Sequence, residues 1–426
     1  MKSYEFRDPV HGFIQLNQWE RDVINHPAFQ RLRRIKQLAW TDMVYPGATH
    51  TRFEHSLGVM HVATQLFDAL TRRQPELFTE LDYATTERPR QLVRLAALLH
   101  DIGHAPFSHA AEELFPANPR TGRHYEHEEY SAAIVRHCMS DIFDHPYNKN
   151  NFNITVDDIV GFFSPTSSNK SSLALRELVS GQMDADRMDY MLRDAHHAGV
   201  SYGKFDLARI AATIQFVERP EDGGYSLGVS EDGVHAAEGL LLARYMMFTQ
   251  VYFHKTRVIF DHHLVESMKE ILQPTGGHFP VPDEAGILEY LKWDDWRVLG
   301  AVPSVKSDHG IALRDRTHYR LFHETPEVPT QDDTKLLQDI SSAAEAANIP
   351  VARREAAKNW YKFDSPGQEI FVEATSGRAR GKAVPLSERS SVVKGLAPVR
   401  QTRLYVPMSH RANALKLATQ LEREND

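Results

Sequence analysis

The chain has 426 residues, with 49 Lys and Arg against 57 Asp and Glu, and a formal net charge of −8. That length points to roughly two or three folding units, or one large body with an appended lobe. The acidic balance argues against a surface built throughout for nucleic acid, and 42% hydrophobic with 25% charged residues excludes disorder along the whole length.

The first twelve residues, MKSYEFRDPVHG, hold no apolar run, so no secretory signal is expected, and no stretch of about 18 apolar residues follows to span a membrane. Tyr4–Phe6 and Gly12–Leu16 read as short strands around Asp8-Pro9, and from Trp19 the pattern turns helical. In THTRFEHSLGVMHVATQLFDALTRR, Phe53, Leu57, Met60, Phe67 and Leu70 share one stripe at helical spacing. QLVRLAALLHD is apolar almost all round from Leu92 to Leu99, which predicts a deeply buried helix stopped by Gly103 and Pro106. Another helix is predicted over Leu173–Arg193, a hairpin from Thr213–Glu218 and Tyr225–Val229 around PEDGG, and a long helix or helix pair over Gly239–Met268. SPTSSNKSS (164–172) and QPTGGHFPVPDEAG (273–286) read as loops, and PEVPTQDD (326–333) as a boundary. Beyond it strands are predicted at Gln368–Ala374 and Arg403–Val406, with a terminal helix near Arg411–Glu422. Between those strands SGRARGKAVPLSERSS is expected to be mobile.

The unusual count is 23 histidines beside one cysteine, Cys138. A single cysteine makes no intrachain disulfide and no cysteine-built zinc site, so a reducing cytoplasm is the expected compartment and any metal must be held by His, Asp and Glu. HDIGHAPFSH (100–109) ends the buried helix. A His-Asp pair left unpaired there costs several kcal/mol, and metal coordination satisfies it directly. His55 in RFEHS and Asp186 in QMDADRMDY complete a set of His55, His100, Asp101 and Asp186. Two imidazoles and two carboxylates suit magnesium, manganese, iron or zinc.

RFEHSLGV, HDIGHAPFSH and DADRMDYMLRD together resemble the HD-domain metal phosphohydrolases. DPVHGFIQL, FQRLRRIKQL, YPGATHTRFEHS, FDLARI and YRLFHE narrow the resemblance to the deoxynucleoside triphosphate triphosphohydrolases related to the vertebrate sterile-alpha-motif and HD-domain protein. It covers roughly residues 4–325, about three quarters of the chain. The resemblance implies a mainly α fold: an HD-type helical bundle with small β-hairpins over 1–325, then a mixed α/β lobe over 326–426 serving oligomerisation or regulation. It implies metal-dependent hydrolysis of dNTPs to deoxynucleoside and inorganic triphosphate.

Roles follow residue by residue. His55, His100, Asp101 and Asp186 match the metal ligands. His104, His109 and His127 match active-site histidines, with His109 as general acid and Glu112, one turn on, orienting it; the other reading of Glu112 is a solvated helix position. Arg52, Arg187 and Arg244 match cations along the triphosphate, Arg187 standing where the family usually has Lys. Gln37, Tyr190, Asp194 and Tyr252 fall to the sugar. Asp186, Tyr190 and Asp194 share one helix face at i, i+4 and i+8, and Tyr190 beneath C2′ leaves little room for a 2′-hydroxyl. Phe248 and Phe253 stand where the family has base-side His or Gln.

Gln30, Arg33, Asp206, Arg209, His254, Lys255, Arg320 and His323 match effector contacts in relatives that form tetramers when nucleotides bind between subunits. Asn25 and Arg7 depart from the guanine-reading Asp and its neighbouring Asn, and SEDG (230–233) replaces a basic pair. Asn cannot accept twice from a guanine edge as Asp does, so an effector other than GTP is expected. The implied partners are a dNTP substrate, a nucleotide effector and further copies of the chain, as tetramer or dimer, with no membrane. The role would be pool control or antiphage defence. The competing reading is an HD phosphodiesterase or nuclease acting on cyclic nucleotides or single-stranded DNA. A non-catalytic sensor is disfavoured by the complete ligand set. Residues 373–403 hold seven Lys and Arg against two Glu, which favours a solvated loop over a nucleic-acid contact.

Overall fold

The computed structural model describes residues 3–80, 85–163, 174–220, 223–358 and 369–425. Its described residues are mainly helical, with nine short strands in three small sheets, as the resemblance implies. The expected loop 164–172, part of the PEDGG turn and the first residue of the strand at 368 lie outside them. Strands β1 (Tyr4–Asp8) and β2 (Gly12–Leu16) form an antiparallel hairpin whose turn is closed by Asp8, accepting from the backbone of Val10 and His11.

The centre of the main core is the pair of helices Arg52–Arg73 and Glu87–Leu99. Thr51 and Glu54 close a capping box at the start of the first. Every residue from Leu92 to Leu99 is buried, including Arg94, whose guanidinium is matched by the buried Glu20 at 2.6 Å. That helix ends at Leu99, a turn earlier than Gly103 predicts, so His100 and Asp101 stand on the turn beyond it. Gly103 serves another purpose: a Cβ there would lie 2.2 Å from the carbonyl oxygen of His127.

The helix predicted over Leu173–Arg193 is broken in two: 174–176 are helical, turns and bends follow over 177–183, and Asp184 accepts from the backbone N–H of Arg187 to start the Ala185–Ala198 helix. This Ala185–Ala198 helix crosses the Arg52–Arg73 helix at Gly58, where a Cβ would fall 1.9 Å from Asp189 Oδ1. The long helix predicted near Gly239–Met268 is a pair, Val234–Met247 and Lys255–Ile271, separated by a π turn over Phe248–Tyr252.

Strands β3 (Ile214–Glu218) and β4 (Tyr225–Ser230) form the predicted hairpin. Strands β5 (Arg320–Glu324), β6 (Ala352–Lys358), β7 (Phe371–Glu373), β8 (Ala383–Pro385) and β9 (Val399–Val406) complete the set. One sheet runs β3-β4-β7-β8, with β7 parallel to β4; another runs β5-β9-β6. Helices Gln331–Ala346 and Arg411–Asn425 cover the second, burying Phe322, Leu337, Ile340 and Leu404 as a separate small core. The C-terminal lobe thus takes in β5, while residues 369–396 return to the main core through Ile370, Val372, Leu386 and Val393. The segment expected to be mobile, 376–391, instead forms β8 and turns of helix at Leu386–Arg389 and Ser391–Lys394. Its Gly and Ser content masked Leu386 and the neighbouring Val393, both fully buried.

Candidate active site

His55, on the first long helix, points its Nε2 to within 3.0 Å of Asp186 Oδ1 and 3.4 Å of Asp101 Oδ2. His100 Nε2 lies 3.1 Å from Asp101 Oδ1 and 3.6 Å from Asp186 Oδ1. Ligands of one ion at ~2.0–2.2 Å stand about 3 Å apart, so the spacing fits a shared metal. The other ring nitrogens are committed: His55 Nδ1–H donates to Asp189 at 2.8 Å and His100 Nδ1–H to the Ala97 carbonyl at 2.7 Å. Both Nε2 atoms therefore face the centre, and that of His100 is buried without a hydrogen bond. Burial works against a charged His55, yet Asp186, Asp189 and Asp101 outweigh it and hold the imidazolium up to about 10. A field that favours positive charge so strongly also favours a divalent ion in the proton's place.

Asp189 was not singled out in the sequence, although it follows Asp186 by three in DADRMDY. It also accepts from His11 Nε2 at 2.6 Å and from Arg193, whose Nη1 reaches Asp8 at 2.8 Å. The β1–β2 hairpin is thereby tied to the back of the His55 ring, which gives the DPVHG motif a structural role.

Beside the four donors, Glu112 gathers three histidines. Its Oε2 accepts from His109 Nδ1 at 2.8 Å, and its Oε1 lies 2.9 Å from His127 Nδ1 and 3.2 Å from His104 Nδ1. These four groups are close enough to hold an ion of their own. His104 and His127 stack at 3.8 Å with 17° between planes, and both turn Nδ1 to the same Glu112 oxygen. Burial and the Arg52 and His127 charges push His104 down to about 3. Burial also opposes charge on His127, but Glu112 outweighs it and raises that ring to about 9. The stack pairs one neutral ring with one charged ring. Glu112 is held well below the usual carboxylate range, where burial is overcome by His109 and His127.

Phe107 and Ser108 both adopt left-handed backbone, at φ 57° and 59°. For non-glycine residues this costs about 1–2 kcal/mol each. The turn launches the 3-10 helix Ser108–Leu114, which carries His109 and Glu112. Ser108 Oγ accepts from Arg52 Nε at 2.7 Å, and Arg52 also pairs with Asp101.

A cavity of about 1500 Å³ opens on this centre. Gln37, Arg52, Arg187, Tyr190, Asp194, Arg244 and Tyr252 all line it, together with His100, Asp101, Asp186, His104, His109 and His127. Arg187 braces Asp184 at 2.9 Å. Tyr190 meets Tyr252 edge-on at 6.1 Å, and Phe248 and Phe253 line the same end. Asp194 holds the Tyr252 hydroxyl at 2.6 Å and His50 at 2.8 Å, so both its oxygens are already engaged.

The residues matched to effector contacts fall in separate places within the chain. Gln30 accepts from Arg33 at 2.9 Å, and Arg33 lies over Phe53. Asp206 caps the Leu207–Thr213 helix, whose Arg209 reaches the Asp232 carbonyl. Lys255, Arg320 and His323 line one cavity of about 460 Å³ with Arg411 and Glu422, while the neighbouring His254 caps the Lys255–Ile271 helix. Asn25 ends the Gln18–Asn25 helix, and Arg7 lies over Phe13 at 4.7 Å.

An HD-domain profile matches residues 52–193 and an HD-associated-region profile residues 205–420. The uncharacterized protein YwfO of Bacillus subtilis is 30% identical over 94% of this chain and 92% of its own length. Deoxynucleoside triphosphate triphosphohydrolase SAMHD1 of Gallus gallus is 31% identical over 62% of this chain and 45% of its own. The Mus musculus protein of that name is 36% identical over 48% of this chain and 33% of its own. The chain spans less than half the length of these two triphosphohydrolases. A crystal structure of a hypothetical protein from Aquifex aeolicus matches with a TM-score of 0.77 at 28% identity, covering 98% of this chain and 100% of that one. No helix among the described residues is long and apolar enough to cross a membrane. With its matched profiles and its His/Asp donor set, the chain belongs to the HD-domain family of metal-dependent phosphohydrolases.

Proposed function

We propose that the chain hydrolyses deoxynucleoside triphosphates to deoxynucleoside and inorganic triphosphate. The observation that carries this reading is one shared cavity, onto which open three arginines, three of the four metal donors (His100, Asp101 and Asp186), the Glu112-backed His109 and a tyrosine-lined end. A divalent metal on His55, His100, Asp101 and Asp186 would polarise the α-phosphoryl group as a Lewis acid. Arg52, Arg187 and Arg244 offset the triphosphate charge in a protein whose net charge is −8. Water attacks the α-phosphorus and the bond to the 5′-oxygen breaks. His109 gives its proton to that oxygen, and the water oxygen leaves with the triphosphate. Charged His127, stacked on neutral His104, stabilises the negative oxygens. Tyr190 lies under the sugar and excludes a 2′-hydroxyl, while the engaged oxygens of Asp194 keep lone pairs for a 3′-hydroxyl.

The cavity at Lys255, Arg320 and His323 supplies cations for a regulatory nucleotide. With Asn25 in place of Asp, that nucleotide is not GTP, and it acts by assembling copies of the chain into a tetramer. An enzyme of this kind lowers dNTP pools, for pool balance or to starve a replicating phage.

The test is incubation with each dNTP, singly and in effector pairs, with inorganic triphosphate and deoxynucleoside read by ion chromatography. Cyclic dinucleotides and labelled single strands run alongside. Triphosphate released from no mixture overturns the reading, and cleavage of a cyclic dinucleotide or strand in its place moves the chain to the other HD chemistry.

A further inference from the structure

We infer that Asp295 is a positioning residue of the HD centre: its carboxylate clamps the left-handed Phe107–Ser108 turn and so sets Arg52, His109 and Glu112 in place. Asp295 opens the Asp295–Ala301 helix and is 2% exposed. Its Oδ1 accepts the Phe107 N–H at 2.7 Å and its Oδ2 accepts the Lys36 N–H at 2.8 Å. The carbonyl of that same Lys36 accepts the Ser108 hydroxyl at 2.7 Å, and the hydroxyl oxygen accepts from Arg52 Nε. One carboxylate therefore joins two segments, and the serine between them hands the alignment on to Arg52 and, through Arg52, to Asp101.

The turn's own backbone adds two local bonds, Ser108 N–H to the Ala105 carbonyl at 2.9 Å and Ala110 N–H to the Phe107 carbonyl at 3.3 Å, and neither takes the Phe107 N–H. The Phe107 ring stacks on Trp40 at 5.1 Å and 5°, which places the side chain but does not satisfy the backbone N–H. Nearby residues hold the approach to the turn: Tyr290 donates to the Gly103 carbonyl at 2.7 Å, and Arg31 joins the carbonyls of Trp293 and His104. Of these groups Asp295 is the one that accepts the Phe107 N–H. Only an ionised carboxylate offers both oxygens as acceptors; Asn would turn an NH₂ toward one of the two N–H groups. Asp295 lies outside the matched HD segment, 52–193, and inside the associated region, 205–420. The associated region thus completes the geometry of the HD centre.

The inference rests on the proposed function only where turnover is read. Asp295→Asn and Ser108→Ala are prepared in the full-length, metal-loaded protein. Bound metal is counted, kcat and KM are measured for triphosphate release, and hydrogen exchange is followed by mass spectrometry in peptides spanning Lys36 and Phe107. Asp295→Asn is expected to keep its metal, lose at least ~10-fold in kcat with KM within ~3-fold, and exchange faster in those two peptides. Ser108→Ala is expected to lose kcat similarly while the Phe107 peptide stays protected, so it tests the same chain of contacts if the Asn variant does not fold. If the wild-type protein releases triphosphate from no dNTP, the substrate reading fails alone, and hydrolysis of bis(p-nitrophenyl) phosphate replaces it in the same comparison. Unchanged protection at Phe107 in Asp295→Asn, faster exchange with kcat unmoved, or loss of metal in step with activity overturns the assignment. So does wild-type turnover in Ser108→Ala.

Discussion

Asp189 accepts the Nδ1–H of His55 at 2.8 Å, and that single bond decides which nitrogen of the imidazole faces Asp101, Asp186 and His100. The same carboxylate is gripped by His11 from the N-terminal hairpin and by Arg193 one turn along its own helix. Three segments far apart in sequence thus meet to orient one imidazole.

Asp189→Asn keeps the shape but puts an NH₂ where an oxygen accepts, so the His55 tautomer is no longer fixed. Metal affinity is expected to fall ~10–100-fold, read by competition with a chelator of known strength. An affinity equal to wild type would show that Asp189 serves packing alone.

His100→Ala and Asp101→Ala should each lose bound metal and activity together. They should differ in stability, because Asp101 also neutralises the buried Arg52. Leaving that charge unpaired costs about 3–5 kcal/mol, whereas His100→Ala leaves it paired. Elemental analysis and denaturant unfolding separate the two effects. Equal stability of the two variants would remove the buried Arg52 pair from the account.

His109→Ala should retain the metal and lose turnover by ~10²–10⁴-fold. The His109 side chain is 63% exposed, so stability should move by no more than ~0.5 kcal/mol. A near-normal rate for the variant rules out His109 as proton donor.

The Glu112–His127 pair sets an alkaline limit. His127 titrates at about 9 in the folded protein against an ordinary value of 6.5, because Glu112 outweighs burial. A folded value above the unfolded one means that the pairing is fully present below about pH 6.5 and is lost as pH rises through about 9. Thermal stability and kcat/KM should both decline on that limb. In Glu112→Gln the limb should move to lower pH; a limb that stays in place assigns the decline to another group.

Much of the architecture was legible because it is written in local period. The stripe in residues 52–73 and the continuous apolar run at 92–99 became the two central helices, and the hairpin at 214–230 formed where its turn residues stood. Local pattern failed at boundaries and where burial, not composition, ordered a segment. Turns over 177–183 broke the helix predicted from Leu173, and a side-chain cap at Asp184 started a new one. Burial of Leu386 and Val393 in the main core ordered a segment whose composition reads as loose.

Read alone, the chain already named its chemical groups: a His-Asp pair ending an apolar helix, histidines and an acid nearby, and arginines for phosphate. Those follow from adjacency and from helical spacing, which sequence records directly. Folding decided how they are aimed. Asp8, His11 and Asp189 converge behind His55, and Lys36, Phe107 and Asp295 converge behind Arg52, through contacts between residues 178 and 188 positions apart. No local period encodes such pairings. They exist because close packing, as at Gly58 and Gly103, brings the segments together. The surplus of histidines and the lack of cysteines pointed to a His/Asp centre; tertiary structure separated the rings that face the ligand set from those that share Glu112.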